Sequence, residues 1–123
     1  MSADTQLIET RFVALCAAAE VEPDTPVRVP RDNVAYAVFS VNGQFYVTQD
    51  QCTHGPGSLA EGFVIDTEIE CPFHQGRFDI RTGQPTAAPC TEALRIWTVH
   101  VVDGQICIDP AEHRRFGNGC VPA

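Results

Sequence analysis

Lysine does not occur in this sequence: all eight basic side chains of its 123 residues are arginine, against sixteen Asp and Glu, for a net charge of −8. A basic stripe able to track a phosphate backbone is therefore missing, which argues against nucleic acid as a partner and leaves docking against basic protein surfaces open. Long apolar runs are missing too. Nothing approaches the roughly 18 residues that cross a bilayer, so no membrane partner is expected. FVALCAAAE, residues 12–20, resembles the end of an export signal, but Asp4 and Glu9 precede it where such a signal would be basic. It reads instead as a core strand entering a turn, in a cytoplasmic protein. Helical periodicity is the third feature in short supply, since the helix signal reads as weak throughout.

What is present is strand. RFVALCA, PVRVP, AYAVFSV, QFYVTQ, EIEC, GRFDI, LRIWTVHVV and QICIDP are short, rich in β-branched and aromatic residues, and separated by turn residues. VNGQ at 41–44 and VDGQ at 102–105 carry the Asn-Gly and Asp-Gly pairs that two-residue hairpin turns need. With 44% apolar and 20% charged residues, the chain reads as one globular domain over 1–123. The fold class expected is all-β, an antiparallel sandwich or barrel, with a small subdomain of loops over about 50–90 and an irregular, mobile tail over about 110–123. His100 on a strand and His113 in that tail read as ordinary histidines.

Six cysteines in a short chain suggest a disulfide framework only in a secreted protein, and that context is missing. Cys16 and Cys107 lie in apolar runs and read as small core residues. Cys120, in a Gly-rich end, reads as exposed and oxidisable. Cys52 and Cys71 differ, because each has a histidine beside it: Cys52-x-His54 and Cys71-x-x-His74, with sixteen residues between the pairs. Glycines and prolines around both pairs place them in two loops that can converge on a metal. Thiolate with imidazole selects zinc or iron–sulfur over magnesium or calcium. Two Cys and two His would close a structural zinc site, but zinc fingers pair like with like, whereas here each cluster is mixed. A two-iron cluster needs the mixed pattern if one iron takes both Cys and the other both His.

CTH, sixteen residues, then CPFH and QG resembles the Rieske-type [2Fe–2S] signature, and the likeness extends over nearly the whole chain. It is most similar to the stand-alone ferredoxin components of bacterial aromatic-ring-hydroxylating dioxygenases. That resemblance implies one [2Fe–2S] cluster, with Cys52 and Cys71 on the inner iron and His54 and His74 on the outer, redox-active one. Gly55, Gly57 and Gly76 are expected to adopt positive φ and let backbone N–H groups approach the cluster sulfurs. A third loop over residues 85–90, with Pro89 packed on the cluster, is implied as a cover, and Cys90 as a non-ligand. In the respiratory branch of the family an extra, disulfide-forming Cys stands at the positions of Gly57 and Phe73, and hydroxyls stand at those of Gly76 and Phe78. Their loss implies a potential toward the lower end of the roughly −150 to +300 mV Rieske range.

The function implied is single-electron carriage from a flavin-dependent ferredoxin reductase to the Rieske centre of a terminal oxygenase. Docking is expected on the rim of His54, Pro56, Pro72, His74 and Gln75. No nucleotide-binding glycine fingerprint is present, and the 123 residues hold no further segment for a mononuclear iron, so the chain is expected to be no enzyme itself. A small Rieske subunit of another reductase, such as a nitrite reductase, and a structural zinc-binding β domain are the alternatives.

Overall fold

The computed structural model describes residues 12–31, 33–53, 56–73, 76–87 and 92–115. Twelve strands run through them. They are β1 Val13–Ala17, β2 Val27–Arg31, β3 Val34–Val41, β4 Gln44–Gln49, β5 Phe63–Ile65, β6 Glu68–Glu70, β7 Arg77–Asp79, β8 Pro85–Ala87, β9 Ile96–Trp97, β10 His100–Val102, β11 Gln105–Ile108 and β12 His113–Arg114. Two short 3₁₀ turns, Ala18–Glu20 and Leu59–Glu61, are the sole helical pieces among the described residues. The expected all-β class is what the chain adopts. Three antiparallel sheets form, in the orders β1-β11-β10, β12-β9-β4-β3-β2 and β5-β6-β7-β8. Both expected hairpin turns are present, with positive φ at Asn42 and Gly43 (53° and 81°) and at Asp103 and Gly104 (51° and 76°). That pair of left-handed residues matches the twist of the strands on either side.

β3 is the shared wall of two cores. Its residues Ala37, Phe39 and Val41 pack with Ile69, Phe78, Ile80 and Leu94 on the side of the four-stranded sheet. The alternate residues Tyr36 and Val38 pack with Leu15, Val29, Val47, Trp97, Ile106 and Ile108 on the side of the three-stranded sheet. Burial on both faces explains why AYAVFSV lacks the polar alternation of a half-exposed strand. Trp97 meets Tyr36 edge-on at 4.8 Å and donates its indole N–H to the carbonyl of Pro110 at 3.1 Å.

The structure corrects three expectations. LRIWTVHVV is not one strand: it breaks at Thr98 and Val99, so that β9 joins the five-stranded sheet and β10 the three-stranded one. A β-rich run carries no mark of the sheet it pairs with, and this one crosses between layers. The segment from Pro110 is not irregular at its start, since His113 and Arg114 pair with Trp97 and Ile96. Strands β5 and β8 lie outside the runs read as strand.

What fixes the first loop to this frame is Asp50, at the end of β4 and only 3% exposed. Its carboxylate accepts from Arg28 Nε on β2 (3.1 Å), from Ser58 Oγ (2.7 Å) and from the backbone N–H of Ala60 (2.9 Å). The Asp50 carbonyl takes the N–H of Leu59 at 2.7 Å, and Gln51 bridges Ser58. A buried carboxylate holds its place only when such donors surround it. We expect Asp50→Ala to lower the unfolding free energy by about 3 kcal/mol, and Asp50→Asn by about half that, because hydrogen bonds to a charge are the stronger ones. Urea unfolding checks this, and a loss under about 1 kcal/mol for Asp50→Ala would remove the carboxylate from its anchoring role.

Candidate metal centre

Two loops rise from the frame in matching form. The N–H of Cys52 bonds to the carbonyl of Gly57 at 2.9 Å, and the N–H of Cys71 to the carbonyl of Gly76 at 2.8 Å. Each cysteine thus closes a loop on the glycine five residues later, and each loop contains one of the two histidines of the sequence pattern. His54, Gly55, His74, Gln75, Pro89, Cys90 and Cys120 lie outside the described residues.

The two cysteines meet. Both are buried, at 3% and 1% exposure, and both belong to the core that contains Phe39, Leu59 and Phe78. Burial is the main cause that pushes the Cys71 thiol up to about 11, a backbone hydrogen bond at Phe73 opposes it, and a hydrogen bond donated by the Cys71 thiol to Cys52, with the charge of Cys52, adds to the rise. Two thiols brought together in an apolar setting suit a cationic metal, which displaces both protons and supplies the missing charge. The thiolate half of an iron–sulfur site therefore fits these residues. Cys16 and Cys107 sit elsewhere, half-buried and buried in the strands of the three-stranded sheet, and neither forms a disulfide. His100 stacks edge-on against Phe12 at 4.7 Å, away from this pair of loops in the sheet order.

Gly57 is needed, but for space. Its φ lies outside the left-handed region, contrary to the expectation, whereas a Cβ there would come within 2.8 Å of both the Cys71 sulfur and Cδ2 of Phe73. The Phe73 ring, half exposed, therefore lies over Gly57 and joins the second loop to the first. Gly62 does the same one layer down, where a Cβ would stand 2.1 Å from the carbonyl oxygen of Glu70, next to Cys71. Gly76 is buried, and Pro56 and Pro72 are exposed on the rim. Thr53 Oγ1 donates to the carbonyl of Glu92 at 2.6 Å, which ties the first loop to the chain leaving the third.

Sequence reasoning passed over Asp50, Ser58 and Gly62. An acidic residue directly after a strand and two places before Cys52 was the available signal for Asp50. No local pattern pointed to Gly62, since the backbone it touches is that of Glu70 at the end of β6. We expect Gly57→Ala to cut the iron bound per chain and to destabilise the fold by about 2 kcal/mol, as overpacking does. Adding Phe73→Ala should leave iron low, because the ring can move but the Cys71 sulfur cannot. Full iron content in Gly57→Ala would mean that the close approach is not required.

A model of the Rieske [2Fe–2S] domain matches residues 11–98 of the chain. Ferredoxin CarAc of Metapseudomonas resinovorans is 44% identical over 98 residues, 79% of this chain and 92% of that protein. The ferredoxin component of the p-cumate 2,3-dioxygenase system of Pseudomonas putida is 44% identical over 115 residues, 89% of this chain and 98% of that protein. The solved complex of reduced oxygenase and oxidized ferredoxin in carbazole 1,9a-dioxygenase contains a chain that matches with a TM-score of 0.76 and 42% identity, over 80% of this chain and 93% of that one. With likeness across this much of its length the chain belongs to the Rieske [2Fe–2S] family, in the group of ferredoxin components of aromatic dioxygenase systems, and its cofactor is a Rieske-type [2Fe–2S] cluster.

Proposed function

We propose that this protein is a single-electron carrier, reduced by a flavin-dependent ferredoxin reductase and oxidised by the terminal oxygenase of an aromatic-ring dioxygenase system. The observation that carries the reading is the meeting of two buried cysteines at the base of two matching glycine-closed loops. Cys52 and Cys71 would ligate as thiolates, and His54 and His74, one in each loop, as neutral imidazoles. The cluster supplies the one-electron chemistry, and the chain makes and breaks no substrate bond. A structural zinc domain, the other reading of two Cys and two His, is set aside by the family membership.

The residues of the chain have separate tasks in this reading. Leu59, Phe39 and Phe78 keep water from the thiolate side, each being less than 2% exposed. Gly55, Gly57, Gly76 and Pro89 would be the close surroundings of the ligands, and His54, Pro56, Pro72, His74 and Gln75 would be the contact rim. Phe73 lies over Gly57 at the two positions where the respiratory branch carries its bridging cysteines. Phe78 brings no hydroxyl to the site, so the midpoint potential is expected toward the low end of the Rieske range. No helix among the described residues is long and apolar enough to cross a membrane. We place the protein in the cytoplasm as one domain over 1–123.

Dithionite-reduced holoprotein is expected to hold two irons and two sulfides and to give the rhombic paramagnetic resonance signal of mixed His and Cys ligation. Zinc with no signal would overturn the carrier reading. His54→Cys and His74→Cys are each expected to lower the midpoint potential, since thiolate makes the outer iron more electron-rich. An assembled cluster with an unchanged midpoint would remove that histidine from the ligand set.

A further inference from the structure

A cleft of about 440 Å³ opens beside the first loop, at one end of the five-stranded sheet. Arg28 from β2 and Arg95 from the approach to β9 contribute to its walls, with Pro56 and Ser58 of the first loop and Trp97. Arg28 gives its Nε to Asp50 and leaves both Nη groups, on a half-exposed side chain. Arg95 is, among the described residues, the one arginine whose guanidinium has no hydrogen-bond or ion-pair partner. Its backbone is held firmly. The Arg95 N–H donates to Gln49 Oε1 at 2.8 Å, its carbonyl accepts from the Gln49 N–H at 3.0 Å, and Gln49 Nε2 ties on to the carbonyl of Gln51 at 2.7 Å.

Unspent guanidinium donors are out of character for a chain of net charge −8. Two such forks facing one cleft match a planar carboxylate better than a point charge would. Pro56 and Trp97 give part of the wall apolar atoms, which suits the methylene stem of a protein side chain. Arg95 also lines an adjoining hollow with His113 and with Arg115, whose own charge is met by Glu92 at 2.9 Å, so the unpaired cation there is that of Arg95. Pro56 places the cleft next to the rim where the cluster loops meet a partner. We propose that this cleft is a socket for an Asp or Glu side chain of the terminal oxygenase, gripped between Arg28 and Arg95 while the first loop docks. The proposal rests on the carrier reading of the preceding section.

The test is stopped-flow reduction of the terminal oxygenase by pre-reduced holoprotein, across ionic strength, with Arg95→Gln compared with Arg81→Gln. Arg81 lies outside the cleft, and its replacement changes the net charge equally. Arg95→Gln should lower the second-order rate constant about fivefold at low salt, and the deficit should close as salt screens the pair. Arg81→Gln should stay near wild type, and both variants should keep the wild-type resonance signal and midpoint. Equal rates for the two variants would overturn the socket. A deficit at the reductase step instead would overturn its assignment to the oxygenase. Wild-type protein that holds a reducible cluster yet passes no electron to the oxygenase would sink the carrier reading itself, and the socket with it.

Discussion

A carboxylate removed from water must be surrounded by donors, and the site depends on where those of Asp50 come from. Arg28 belongs to β2, whereas Ser58 and Ala60 belong to the far end of the first loop. Satisfying one buried charge therefore brings a strand of the frame and both ends of a loop to a single point. Cys52, two residues on, inherits its position from that arrangement. The carbonyl of Gly57 then closes the loop above it.

Because Cys52 and Cys71 share a core with Phe39, Ile69 and Phe78, the two thiols are part of the hydrophobic interior and not appendages of it. β3 transmits this rigidity, since its two faces serve the two cores. The frame thus resists displacement of either sulfur through packing on several sides. A carrier that meets its partners briefly benefits from such a preformed site, because little has to be ordered on each encounter. The surface beside the loops has the opposite character, with an exposed Phe73 ring, two rim prolines and arginines with donors to spare.

Much of this was legible in the residues. The Asn-Gly and Asp-Gly turns announced their hairpins because two consecutive positive φ values favour those pairs. The mixed Cys/His spacing announced the metal chemistry because ligand type is a local property of side chains. LRIWTVHVV misled, since alternation and β-branching describe a strand but not the sheet that receives it. Gly57 was singled out for the wrong cause. Its neighbours in sequence suggest a turn, whereas its need for space comes from Cys71 and Phe73, far along the chain.

By itself, then, the sequence determined the class of the fold, the hairpins, the mixed Cys/His pattern that suits a metal and the absence of lysine, all of which depend on residue type and short spacing. The tertiary structure alone decided that Asp50 anchors the first loop, that Gly57 permits the two loops to touch, that Gly62 permits the chain to pass the end of β6, that the tail begins as a strand and that Arg28 and Arg95 face one cleft. Each of these is a contact between segments distant in sequence, and its cause is close packing, which no local pattern records.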